Sequence, residues 1–230
     1  MIWKWNNATL PPGYRLRPLG EADLPALHTL NQAVMAALPD AGSFRLFGGA
    51  ERFFATHLGA RGSSVGIFDA EALCAFGALT RPRADDVDNY AGDLGWTPQR
   101  AGTVALLSAA MVVPTRRRLG LHLALIRARL VLAAEMGHDE VLARAAPANA
   151  RSRRNLLGAG FAIVWLGTQA EGSLRHIYWR PTAYEGTRTR GPMTWVAAAD
   201  IAAQQALLAQ GLMGLARRAQ DEAIGFAPQA

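Results

Sequence analysis

A chain of 230 residues, half of them apolar and 18% charged, has the make-up of a globular protein and excludes a disordered one. The net charge of +6 is carried almost wholly by arginine, with Lys4 the one lysine, and the arginine clusters lack the interleaved aromatics of a nucleic-acid surface. No apolar run reaches the length of a bilayer span, the opening residues from Met1 to Asn7 lack a secretion-signal pattern, and the single cysteine, Cys74, has no internal disulfide partner. A cytoplasmic, soluble protein with no membrane, nucleic-acid or metal partner is expected.

In chain order, Tyr14 to Arg17 alternates as a short strand. From Glu21 to Leu38 the apolar positions Leu24, Leu27, Leu30, Val34, Met35 and Leu38 recur at helical spacing, and Pro39-Asp40-Ala41-Gly42 stops that helix. A second helix is predicted from about Gly49 to Leu58. Ser64 to Asp69 and Ala72 to Thr80 read as a hairpin about Ala70-Glu71, and Arg81 to Gln99 as a loop with room for one helical turn. Thr103 to Val113 is nearly all apolar, as a strand buried on both faces requires. Next come a helix from Leu121 to Met136, a strand from Glu140 to Ala146, a helix from Ala150 to Leu157 and a strand pair (Phe161 to Thr168, Leu174 to Arg180). Glu185 to Pro192 reads as a linker, Met193 to Val196 as an edge strand, and Asp200 caps a helix through Ala209, beyond which Gly211 and Gly214 interrupt regular structure.

The order implies an α/β protein of the α+β type. Its sheet of about seven strands is mixed and mostly antiparallel, with one parallel pair across the right-handed crossover between Thr103 and Ala146 and helices on both faces. Residues 1–183 form the main domain and 184–230 a C-terminal extension, expected to cover an open sheet edge, cap a cleft or form a homodimer contact.

The most informative stretch runs from Met111 to Leu123. An apolar strand ends in Pro114, an Arg-x-x-Gly turn spans Arg117 to Gly120, and a helix begins. Strand, basic turn and helix start together make a phosphate cradle, because the helix N-terminus presents unpaired N–H groups and glycine lets the backbone approach an anion. Two arginine triplets, Arg116-Arg117-Arg118 and Arg151, Arg153, Arg154, suit the same anion. A second element, Pro147-Ala148-Asn149 and then Gly160-Phe161, stands downstream.

With those motifs in that order, the chain resembles the GCN5-related N-acetyltransferases (GNAT superfamily) over Tyr14 to Arg180. That family's phosphate motif, Gln/Arg-x-x-Gly-x-Gly/Ala, reads here Arg117-Arg118-Leu119-Gly120-Leu121-His122, with His122 in place of the small residue. Asn149, Ser152 and Gly160-Phe161 match the second motif. The resemblance implies acetyl-CoA as acyl donor, its pantetheine arm slotted between two splayed parallel strands and paired with the backbone of Met111, Val112 and Val113. It places the pyrophosphate on amides of Arg117, Arg118, Leu119, Gly120, Leu121 and His122, with Asn149 on the arm and Arg118, Arg151 or Arg153 on the 3′-phosphate.

The implied reaction is attack of a primary amine, on a small molecule, upon the thioester through a tetrahedral intermediate. A free amine with a pKa of about 10 must lose a proton first, the oxyanion needs an N–H near Val112 or Val113, and a thiol with a pKa of about 8.5 leaves without an acid. The family's usual tyrosine acid is replaced by Leu156, and a glutamate base of protein N-terminal acetyltransferases by Arg144. No general base is named by the pattern. Asp85, Asp86, Asp88 and Asp93 in the loop, and His176 and Tyr178 on the last strand, are the candidates, with one of the latter two expected on the substrate side. Arg144, if it faces the acceptor, favours a carboxylate-bearing amine. The alternative is a catalytically silent CoA-binding module, to which Leu156 and Arg144 also lend themselves.

Overall fold

A computed structural model describes residues 10–38, 46, 48–59, 61–183 and 191–228. The expected helix stop at Pro39-Asp40-Ala41-Gly42 and most of the expected linker from Glu185 lie outside them. The chain divides into two compact units, one made of residues up to Arg81 with Leu107–Met136, the other of Pro82–Leu106 with everything from Gly137 on.

In the first unit, β1 (Tyr14–Pro18), β2 (Gly62–Asp69) and β3 (Ala72–Thr80) form an antiparallel meander, and β4 (Ala105–Val112), most of which belongs here, comes after β3 in the strand order. The β2–β3 hairpin turns through Ala70, whose φ is +51°, and carries a register shift at Ile67/Phe68. Helix α1 (Leu24–Ala36) starts where Asp23 turns back to accept the Gly20 N–H at 2.9 Å, with Pro25 in the first turn where its missing donor costs nothing. It packs with α2 (Ala50–His57) over an aromatic core of Leu27, Leu30, Phe53, Phe54, Phe76 and Met111. Phe54 and Phe76 meet edge to face at 5.5 Å. Helix α4 (Leu121–Glu135) lies on β2 and β3.

One arginine fixes that helix. Arg129, 2% exposed, donates through Nε to the Leu125 carbonyl of its own helix and through Nη1 to the carbonyls of Ala78 on β3 (2.9 Å) and Ala109 on β4 (3.0 Å). Gly77 makes the room: a Cβ there would lie 2.8 Å from Nε.

The second unit opens with a loop that Asn89 holds closed, its Nδ2 donating to the Arg83 and Ala101 carbonyls and its Oδ1 accepting from Ala91 N–H. The single turn α3 (Pro98–Ala101) ends the loop. Its sheet runs β5 (Glu140–Ala145), β7 (Leu174–Pro181), β6 (Ala162–Thr168), β9 (Met213–Arg218), β10 (Ala223–Ala227), β8 (Thr194–Ala197), with each neighbouring pair antiparallel. Helix α5 (Ala150–Gly158) packs on β6 and β9, as does α6 (Ile201–Ala209). Tyr90, Leu106, Leu142 and Ile177, with Trp96, Trp165 and Trp179 around them, form its core.

Two expectations are corrected. The described residues hold ten strands, not about seven, and the chain after Gly211 is not broken but forms the β9–β10 hairpin. Both differences come from the extension, whose strands are four to six residues long and carry a weak period-two signal. It adds three strands beyond β6, so that this edge is covered.

Replacing Arg129 with Leu leaves the Ala78 and Ala109 carbonyls short of a donor in the interior. Unfolding free energy from urea titration is expected to fall by roughly 2–4 kcal/mol.

Candidate functional site

The stretch after β4 is shaped by two left-handed residues. Val113 closes the strand, a 3-10 turn covers Pro114–Arg116, and Arg117 is extended; Arg118 then takes φ +71° and Gly120 φ +77°. A non-glycine residue in that region costs about 1–2 kcal/mol, so the turn holds Arg118 against its own preference. Among the described residues nothing beyond the adjoining backbone lies within 4 Å of where a Gly120 Cβ would stand, and the N-cap of α4, being this glycine, has no side chain to cap the helix. Successive amides that curl through such a turn into an uncapped helix start form an anion-binding concavity.

Backbone pairing narrows the part β4 can play. Val113 N–H donates to the Cys74 carbonyl at 2.9 Å, and the Val113 carbonyl accepts from Arg116 N–H at 3.0 Å. Because N–H groups alternate sides along a strand, the Val112 amide points away from β3. Cys74 itself is packing: buried, its thiol donates to the Ala72 carbonyl, and burial pushes its pKa up.

The arginines divide by partner. Arg116 is held by Asp69, with Nη2 to Oδ2 at 2.9 Å. Arg153, 4% exposed, donates to the Pro147 carbonyl at 2.6 Å and to Glu222 at 2.8 Å, so it is a fixture of the second unit's interior. Arg118, Arg151 and Arg154 are exposed. Asn149 is the N-cap of α5, its Oδ1 accepting from Ser152 N–H at 2.9 Å. The two residues the second motif picked out are thus brought together as a helix cap.

The candidate bases fare differently. Asp86 closes a turn by accepting Arg83 N–H, and Asp93 accepts from Gln169 Nε2 at 2.6 Å. His176 and Tyr178, two apart on β7, share a face, and both are fully buried, so neither is presented for an acceptor. Gln204 of α6 anchors them: its Nε2 donates to the Ala198 carbonyl, its Oε1 accepts from His176 Nε2 at 2.9 Å, and Tyr178 Oη donates to His176 Nδ1 at 3.5 Å. Burial pulls the His176 imidazole down to about 4 and pushes the Tyr178 phenol up. Arg144 donates to Gln169 Oε1 at 2.9 Å, stands 3.5 Å from Glu171 and lies over the Tyr90 ring at 4.7 Å. Its charge is met by groups of its own unit. Arg175 has its pKa lowered by burial first and by the like charge of Arg144 second. Leu156, at the position of the family's acid, is core. Among the described residues no three His, Cys, Asp or Glu side chains gather as a metal site, and no helix is long and apolar enough to cross a membrane.

Neither a protein-family model nor a curated protein sequence matches the chain. Solved structures do. The ribosomal-protein-S18-alanine N-acetyltransferase from Escherichia coli is similar with a TM-score of 0.53 and 17% identity, over 77% of this chain and 99% of that one. Arabidopsis thaliana NAA60 in complex with acetyl-CoA gives 0.56 and 17%, over 73% and 98%. A GCN5-related N-acetyltransferase from Kribbella flavida gives 0.54 and 18%, over 74% and 99%. The chain therefore has the GNAT, or acyl-CoA N-acyltransferase, fold: a mixed, mostly antiparallel sheet with one parallel pair and packed helices.

His176 supplies a test of the second unit. An imidazole held near 4 when folded and titrating at 6.5 when unfolded contributes stability above pH 6.5 that is lost as pH falls toward 4. The loss is roughly 3 kcal/mol at 1.36 kcal/mol per unit. Unfolding free energies from urea titration at pH 7 and pH 4.5 are expected to differ less for His176→Gln than for the parent chain, by roughly 2–3 kcal/mol.

Proposed function

We propose that the protein is an N-acetyltransferase that moves an acetyl group from acetyl-CoA to a primary amine on a small molecule. The observation that carries the reading is the Arg117–His122 turn, with its left-handed Arg118 and Gly120 and uncapped helix, in a chain of the GNAT fold. In this reading the amides from Arg117 to His122 hold the pyrophosphate, and the arm runs back along β4 past Val113 and pairs with Val112, the Met111 amide lying by the same alternation on the β3 side. The Val112 amide, directed away from β3, suits the arm better than Val113, whose N–H and carbonyl are engaged. Asn149, its Oδ1 occupied by Ser152 N–H, keeps the Nδ2 donor that the second motif calls for. Arg118 and Arg151, both exposed, are the arginines left to meet the 3′-phosphate, Arg153 being held inside.

Bound there, acetyl-CoA supplies a thioester whose thiol, with a pKa of about 8.5, leaves without a proton donor. A core leucine at the acid position is therefore compatible with turnover. A single cysteine kept as a buried thiol suits a cytoplasmic setting, and the extension remains the expected place for a homodimer contact.

Calorimetry with CoA and a thiol-release assay with acetyl-CoA and a panel of amines test the reading. Binding with thiol release is expected; binding without release favours the silent module, and no binding by folded protein removes both. Gly120→Ala strains the turn by about 1 kcal/mol and sets a methyl group where the anion is to lie. It is expected to weaken CoA about ten-fold or more, which is 1.4 kcal/mol of binding energy, with the fold retained.

A further inference from the structure

Three side chains of the first unit form a continuous hydrogen-bonded file from the end of α2 to the middle of β4. His57, 6% exposed, stacks on Phe53 at 3.9 Å and fits beneath β2 because position 62 is glycine: a Cβ there would lie 2.7 Å from His57 Cα and 2.9 Å from its ring. Its Nδ1 lies 2.7 Å from the Phe53 carbonyl oxygen and its Nε2 lies 2.6 Å from Thr80 Oγ1. Thr80, 5% exposed, is hydrogen-bonded in turn to Ser108 Oγ on β4. Ser108 is half-buried, the one member of the file that reaches toward the surface.

The direction of the file is set by its inner end. A carbonyl oxygen only accepts, so the neutral ring carries its proton on Nδ1 and offers a lone pair on Nε2. Thr80 donates to that lone pair and therefore accepts from Ser108, whose oxygen keeps acceptor capacity for a further donor. Every proton points inward, toward a base that water scarcely reaches.

We infer that Ser108, Thr80 and His57 are the proton path that activates the acceptor amine, an inference that rests on the acetyl-CoA reading above. With the pyrophosphate on the Arg117–His122 turn and the arm running back past Val112 and Met111, the acyl end reaches the Ala110–Ser108 stretch. Ser108 stands roughly 10 Å from Met111 at about 3.3 Å per residue. A substrate ammonium hydrogen-bonds Ser108 Oγ and gives it a proton as Ser108 passes its own to Thr80 and Thr80 passes its own to Nε2, leaving a neutral amine and an imidazolium. The amine lone pair forms the C–N bond at the thioester carbonyl carbon. The C–S bond then breaks with its electron pair on sulfur, which takes the second N–H proton of the adduct. Ammonium and acetyl-CoA thus give amide, CoA thiol and one proton, which passes from His57 back through Thr80 and Ser108 to solvent once the products have left. Ser108 touches the substrate; Thr80 and His57 act through it.

Acetyl transfer from acetyl-CoA to two probes tests this: ethanolamine, protonated at pH 7, and hydroxylamine, neutral there and in no need of the path. Thr80→Val is expected to lower kcat with ethanolamine about ten-fold or more, to leave hydroxylamine and the acetyl-CoA KM within about three-fold, and to be rescued by Thr80→Ser. An equal loss with both probes, no loss, or no rescue by serine overturns the path. Nitrogen-15 NMR of the His57 ring gives a readout that needs no acceptor: Nδ1–H with unprotonated Nε2 supports the file, and the opposite tautomer overturns it. The ring decides the matter also for a parent chain that moves acetyl to neither probe. Failure of the parent chain to bind CoA removes the acetyl-CoA reading by itself, while the tautomer still reports whether the file exists.

Discussion

The first unit depends on a guanidinium in its interior. Arg129 joins three elements, since one side chain of α4 donates to its own helix, to β4 just before it and to β3 some fifty residues away. A buried cation is costly unless its donors are used, and here carbonyl dipoles of adjacent strands use them. The consequence is mechanical. With α4 bolted to both strands at its middle, its N-terminus has a fixed height above β4, and the turn between them must cover that gap in a few residues. Within that turn Gly120 takes the left-handed conformation at no cost, whereas Arg118 takes it against its own preference.

Arginine has three employments in this chain. Inside, Arg129 and Arg153 replace hydrogen-bond donors that an apolar core lacks. At the half-buried level, Arg116 and Arg144 tie loops and strands through Asp69, Gln169 and Glu171. Outside, Arg118 and Arg151 keep their charge for solvent or a ligand. A composition in which nearly all cations are arginine hides this division, and burial sorts it out. The planar fork explains why one residue type serves all three, since it donates in several fixed directions from a weakly hydrated charge.

Most of the frame is legible in the sequence because its signals are local. The spacing of Leu27, Leu30 and Val34, the two strands about Ala70-Glu71, the apolar run of β4 and the N-caps Asn149 and Asp200 are each set by residues within a few positions of one another. The Arg117–Gly120 turn is legible for the same reason. The rest depends on contacts distant in sequence. Arg153 meets Glu222 sixty-nine residues on, and Thr80 meets Ser108 at a separation of twenty-eight. His57 carries no motif, and its place in a chain of hydroxyls emerges only when α2 folds over the hairpin. The expectation that one of His176 and Tyr178 serves the substrate side fails on an elementary rule, since residues two apart on a strand point the same way and here that way is inward. The β9–β10 hairpin escapes because each of its strands is only five or six residues long and holds a glycine, Gly214 or Gly225, which gives periodicity little to register.

The extension supplies polar partners to groups otherwise sealed from water. Gln204 completes the hydrogen bonding of His176, and Glu222 answers the charge of Arg153. A chain shortened at Ala183 would keep every element of the common fold yet carry a stranded cation and an imidazole with no amide to bind. Removing the appendage would therefore call for changes at Arg153 and His176 as well, so its inner face is tied to the interior while its outer surface is not.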